Sequence, residues 1–200
     1  MPTASRAKHK FCRRIGQCLW GDPKCPSVKR PYAAGPHGKG RRVKLSTYGE
    51  LLLEKQKLRN YYAISEKQLR IAFAKAKSGL GLTHEKLFRS LEMRLDALVY
   101  RAGFAPTIFA AKQIVNHGHI LVDGKRVDRS SCVIKEGQVI SIDAAKSPAA
   151  AEAAKKSNNV VPPYMEVDLD NLKATLVRAP QLEEIPVPVK IMSVVEYYAR

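Results

Sequence analysis

LEMRLDALVYRAGFAPTIFAAKQIVNHGHILVDGKRVDRSSCVIKEGQVISI, residues 91–142, sets two short helical patterns directly ahead of a hairpin. Leu91, Leu95, Leu98 and Ala102 recur at helical spacing and form one apolar stripe. Arg94 and Arg101 fall off that stripe and are expected to face water or a partner. Gly103 stops the first helix, and the Thr107 hydroxyl is placed to accept a backbone N–H at the start of the second. Ile114 and Val115 bury that second helix, which Gly118 ends. Ile120 and Val122 then alternate into a strand, and Asp123 with Gly124 supplies the positive φ angles of a tight turn. Val133 and the run Val139, Ile140, Ile142 read as further short strands around a turn at Glu136 and Gly137. Cys132, inside that stretch, reads as a small buried hydrophobe.

Charge dominates the rest of the chain. Across 200 residues the formal net charge is +17, and it is uneven. Met1 to Asn60 holds 15 Lys/Arg against 3 Asp/Glu, whereas Val160 to Arg200 holds 4 against 6. Such self-repulsion calls for a polyanion, and phosphate backbones are the usual one. No apolar run approaches the roughly 20 residues of a spanning helix, and the N-terminus lacks a secretory apolar core. The expected compartment is the cytoplasm, with the four cysteines reduced.

Residues 1–45 are rich in Gly, Pro, Lys and Arg and show little periodicity, so they are expected to order on RNA or around a metal. Thr47 and Glu50 suggest a capping box opening a helix to about Tyr61, with Leu51, Leu52 and Leu58 inside and Lys55, Lys57 and Arg59 outside. Ser65 and Gln68 form a second such box, and Gly79 closes the helix that follows. Ala144 to Asn159 is an Ala/Lys/Ser tract that reads equally as a polar helix or a linker. From Val160 the tail alternates like strand, is punctuated by proline, and ends apolar from Ile191 to Tyr198.

Residues 91–142 resemble the small RNA-binding domain named after small-subunit ribosomal protein four. That domain is also appended to pseudouridine synthases, tyrosyl-tRNA synthetases and ribosome-rescue factors, so the flanks decide. RPYAAGPHGKGRRVKLSTYGELLLEKQKLRNYYAISEKQLR, from Arg30 to Arg70, resembles the N-terminal domain of the bacterial small ribosomal subunit protein four family. PPYMEVDLDNLKATLVRAP, from Pro162, and the closing VVEYYAR resemble its C-terminal tail. The resemblance implies an α+β protein: a mainly helical N-terminal domain carrying an inserted RNA-binding domain of two helices and a short mixed sheet. The expected boundaries are residues 1–92 for the basic and helical part, 93–143 for the RNA-binding domain and 144–159 for a linker. Residues 160–200 are expected to return to the helical domain.

The implied function is a structural, ribosomal RNA-binding constituent of the small subunit, one that nucleates assembly and contributes to translational accuracy. The implied neighbours are ribosomal RNA, ribosomal protein five, other small-subunit proteins, and messenger RNA near its entry site. Candidate RNA contacts are Arg13, Arg14, Arg41, Arg42, Lys44, Lys55, Lys57, Arg59, Arg94, Arg101, Lys112, Lys125 and Arg126. Each alone reads as a solvated charge; the shared basic faces raise the set above its members. Where the family commonly opens its second helix with Ser-Arg-Arg, this chain has Thr107, Ile108 and Phe109.

His9, Cys12, Cys18 and Cys25 form the one metal-like constellation, spaced His-x2-Cys-x5-Cys-x6-Cys. Two readings stay open: a structural zinc site, as in some members of the family, or small residues left in a reduced compartment. The paired Cys-x2-Cys halves of a strong zinc signature are missing. The glycine-rich run from Gly35 to Arg42 lacks the Lys-Ser/Thr ending and the preceding strand of a nucleotide-binding loop. His117 and His119 flank a glycine without a carboxylate partner in sequence, which suits structure or RNA backbone better than catalysis. No nucleophile elbow, His-Glu-x2-His or carboxylate pair is present, so an enzyme is not expected. The rival readings are an RNA-modifying enzyme or a rescue or assembly factor bearing the same domain.

Overall fold

The computed structural model describes residues 8–40, 44–144, 146–155 and 161–199. The chain divides into two compact units, Met1–Glu66 with Val187–Arg200, and Lys67–Pro186.

In the first unit, α1 (Lys8–Ile15) and α2 (Pro26–Lys29) precede α3 (Thr47–Tyr61), and α9 (Ile191–Ala199) packs along α3. The cap of α3 is Ser46 rather than Thr47: the Ser46 hydroxyl accepts the Gly49 N–H at 3.2 Å. Either residue could supply that oxygen, and the extended backbone at Ser46 decides which one does. Leu51 and Leu58 are buried as expected, while Leu52 is only half-buried. The Lys190 N–H donates to Glu54 Oε2 at 2.9 Å, and the Tyr198 hydroxyl donates to Glu66 Oε1 at 2.9 Å. These bonds tie the last residues of the chain to α3 and the residues that follow it.

The second unit runs α4 (Glu66–Ser78, its first residue belonging to the other unit), α5 (Thr83–Glu92), α6 (Leu95–Arg101) and α7 (Ile108–Asn116). It continues with β1 (Ile120–Val122), β2 (Lys125–Arg126), β3 (Val139–Ile142), α8 (Pro148–Lys155), β4 (Met165–Asp168) and β5 (Lys173–Leu176). The sheet order is β2-β1-β3-β5-β4, and every pairing is antiparallel rather than mixed. The β1–β2 turn has φ of 49° at Asp123 and 77° at Gly124, the paired positive angles that match strand twist. Register puts Ile120 opposite Ile142 and Val122 opposite Ile140, so all four buried side chains share one face of the sheet. That face joins Leu95, Leu98, Val99, Ala111 and Val115 of α6 and α7 in one apolar core. The Thr107 hydroxyl accepts the Ala110 N–H at 3.1 Å, and Gly103 and Gly118 take φ of 77° and 71° where the two helices stop.

Two expectations need correction. Residues 161–186 do not return to the helical part: β4 and β5 extend the sheet, Ile140 pairing with Ala174, and only the residues from Val187 group with α3. The compact units themselves divide near residue 66, with α4 and α5 clustering with the sheet. Around Cys132 no strand forms; Val133 makes a single bridge to Arg94 and is 57% exposed. Within the Ala144–Asn159 tract, open between helix and linker, Pro148–Lys155 form α8, with Ala150 and Ala154 buried in the core. Alanine suits both outcomes, since its high helix propensity comes with a small side chain that packs closely.

Candidate nucleic-acid interface and metal-ligand cluster

His9 and Cys12 stand three residues apart on α1 and so share a face. The chain then reverses through Gly16 and Gly21, at φ of 81° and 71°, which brings Cys18 and the start of α2 back to that face. Cys25 sits just before α2, its N–H donating to Asp22 O at 3.0 Å. The ligand atoms of His9, Cys12, Cys18 and Cys25 all lie within 4.8 Å of one another. His9 Nδ1 is 3.1 Å from Cys25 Sγ. Burial pushes the Cys12 thiol up to about 12 and raises Cys18 as well. At Cys25 burial acts in the same direction but is outweighed by hydrogen bonds from the Ser27 hydroxyl and backbone and from the neighbouring thiols, so this thiol is lowered. Trp20 lies edge-on to His9 and donates its indole N–H to Tyr61 O at 3.2 Å, which ties the cluster to α3.

This donor set suits zinc. Bonds of about 2.3 Å to sulfur and 2.0–2.1 Å to nitrogen put tetrahedral donors roughly 3.5–3.8 Å apart, a small contraction of the cluster. A metal would also neutralise thiolates that burial otherwise disfavours.

Arg13 connects the cluster to the glycine-rich loop. Its guanidinium donates to Tyr32 O at 3.1 Å and Ala33 O at 3.2 Å and lies 4.9 Å above the Tyr32 ring. A Cβ at Gly38 would sit 1.9 Å from Ala33 O, so only glycine fits this close approach. Arg14 and Lys44 are exposed. Arg41 and Arg42 lie outside the described residues.

The remaining candidates fall into two groups. Lys125 and Arg126 are exposed on β2, and Arg126 lies across Gly118 with a donor bond to His117 O at 3.3 Å. The others are tied to acids. Lys55 is buried, 3.0 Å from Glu66 Oε1 and 4.6 Å above the Tyr197 ring. Lys57 pairs with Glu54, and Arg59 stands 4.0 Å from Glu66. Lys112 lies 4.0 Å from Asp96, and burial, reinforced by Arg94, lowers its pKa against the pull of Asp96.

Arg94 and Arg101 do not face outward. Arg94 grips Asp96 with two bonds of 3.0 and 2.7 Å, both side chains being buried. Arg101 donates to Glu92, which is fully buried and also accepts from the Tyr164 hydroxyl at 2.8 Å. Asp96 lies two residues from Arg94, and Glu92 at the end of α5 reaches Arg101 at the end of α6, so each buried cation has its acid beside it.

Sequence reasoning passed over Lys67, Arg70, Lys75 and Lys77, all exposed on α4. The signal was available in the spacing of Leu69, Phe73 and Ala76, which the fold buries on the opposite side.

Residues 4–92 match the family described as "Ribosomal protein S4/S9 N-terminal domain", and residues 93–140 match the "S4 domain". The chain is 47% identical to small ribosomal subunit protein uS4 of Ruegeria sp. (strain TM1040) over 205 residues, covering 100% of both. It is 46% identical to the protein of the same name from Dinoroseobacter shibae, again over 100% of both. With that of Rhodospirillum rubrum it shares 46% over 97% of each.

Proposed function

Because this chain belongs to the family of small ribosomal subunit protein uS4, we propose that it works as a structural, RNA-binding component of the bacterial small ribosomal subunit in the cytoplasm. The observation that carries this reading is the match to that family from one end of the chain to the other. As a member of a family of ribosomal proteins it is not an enzyme. The net charge of +17 supports the choice of RNA as partner.

In this reading the protein neutralises phosphates where RNA helices meet, nucleates assembly of the subunit and contributes to decoding accuracy. RNA shape and backbone carry much of the recognition. Arg41, Arg42 and Lys44 reach ribosomal RNA near the entry of messenger RNA. The acidic segment from Val160 supplies the surface for ribosomal protein five. A zinc ion held by His9, Cys12, Cys18 and Cys25 cross-links the basic N-terminal segment, and the convergence of the four donors, two of them buried, supports that assignment.

Sedimentation of cell extracts through sucrose gradients at rising salt tests this reading. One copy per small subunit, retained as salt rises, is expected. Recovery only in light fractions would favour a transient assembly or rescue factor.

A further inference from the structure

The RNA-binding reading leaves α4 without a role, yet α4 carries four exposed cations without ion-pair partners among the described residues. Leu69, Phe73 and Ala76, spaced i, i+4, i+7, are 0%, 8% and 4% exposed and hold one side of the helix inward. Lys67, Arg70, Ile71, Ala74, Lys75, Lys77 and Ser78 are exposed on the other side. Among the described residues no carboxylate lies within ion-pair distance of Lys67, Arg70, Lys75 or Lys77. The only acid on α4, Glu66, is taken up by Lys55 and Tyr198. Arg94 and Arg101, by contrast, are buried against acids.

We propose that the outward face of α4 docks on the phosphate backbone of folded ribosomal RNA, with Lys67, Arg70, Lys75 and Lys77 as its contacts. This proposal rests on the RNA-binding function above and assigns it to a helix. From Lys67 to Lys77 the helix rises about 15 Å, enough to meet several phosphates in succession. Ala74 and Ser78 are short, so RNA can come close between the longer basic side chains. Ile71, 48% exposed, offers an apolar surface to a ribose. Three of the four cations are lysines, which act as point charges toward phosphate, so the face serves to position the protein on the backbone.

The test is the full-length variant K67Q/R70Q/K75Q/K77Q, titrated against a small-subunit ribosomal RNA fragment at several salt concentrations. Glutamine keeps helix propensity, and the four positions are exposed, so the melting temperature should stay near that of the parent. Log affinity plotted against log salt should lose roughly 3 units of slope, at about 0.7–0.9 per phosphate contact. K67R/K75R/K77R should keep the parental slope. Unchanged slope in the glutamine variant, with a parent that binds RNA tightly, overturns the α4 assignment and leaves the ribosomal reading standing. Unchanged RNA binding but lost retention in subunits would place an acidic protein surface on α4 and overturn it equally. A parent that fails to bind RNA would overturn both.

Discussion

The Tyr164 hydroxyl donates to Oε1 of Glu92 at 2.8 Å, although 72 residues separate them and both are fully buried. Arg101 donates to the same carboxylate oxygen. The residues just before β4 are thereby fastened to the end of α5. Tyr164→Phe removes a hydrogen bond from a buried carboxylate and should cost about 1–3 kcal/mol in denaturant unfolding. Glu92→Leu strands the buried Arg101 charge and should cost more, about 3–5 kcal/mol. Equal, negligible losses would show that the carboxylate is solvated.

Glu66 predicts a pH dependence. Its burial raises the carboxyl pKa, but the hydrogen bonds from Lys55 and Tyr198 and the charges of Lys55 and Arg59 outweigh it, so the folded value lies below the ordinary one. A group lowered on folding adds stability at pH above its unfolded value, and that contribution is lost as pH falls through the folded value. Stability measured from pH 7 downward should therefore fall less steeply in the acid limb for Glu66→Gln than for the parent. Parallel limbs would remove Glu66 from the account. The side chain is 31% exposed, so solvent screening should keep the difference modest.

Protein purified without chelator should carry about one zinc per chain, as a four-ligand structural site requires. Cys12→Ser should lower that content. Zinc well below one per chain and indifferent to Cys12→Ser would leave the cluster as reduced cysteines.

Replacing Arg41, Arg42 and Lys44 together by Ala should weaken RNA binding and flatten its salt slope by roughly 2 units. The same change at Lys173, Arg178 and Lys190 should do much less, since Arg178 is already paired with Glu184. Equal slopes for the loop variant and the parent would remove the loop from the interface.

What could be read in the sequence followed the range of the forces involved. The stop at Gly103, the Thr107 cap and the turn at Asp123 and Gly124 are local, and each needs only a few neighbouring residues. Pairing of β3 with β5 joins Ile140 to Ala174 with α8 and β4 between them in the chain, and nothing in either segment names the other. Arg94 and Arg101 looked outward because helical spacing alone placed them off the stripe; the burial came from Asp96, Glu92 and the chain that covers them. The four metal-ligand candidates were identified by residue type, but their irregular spacing hid the turns at Gly16 and Gly21 that gather them.

Binding of small-subunit ribosomal RNA chiefly through phosphates can be read out in a binding titration of the full-length protein. Affinity for that RNA should be measured between 50 and 200 mM salt, with transfer RNA as competitor. A fall of about a thousandfold or more is expected over that range, as for a protein with six or more phosphate contacts, with little displacement by transfer RNA. Affinity that hardly changes with salt, or that transfer RNA abolishes at equal concentration, would contradict it.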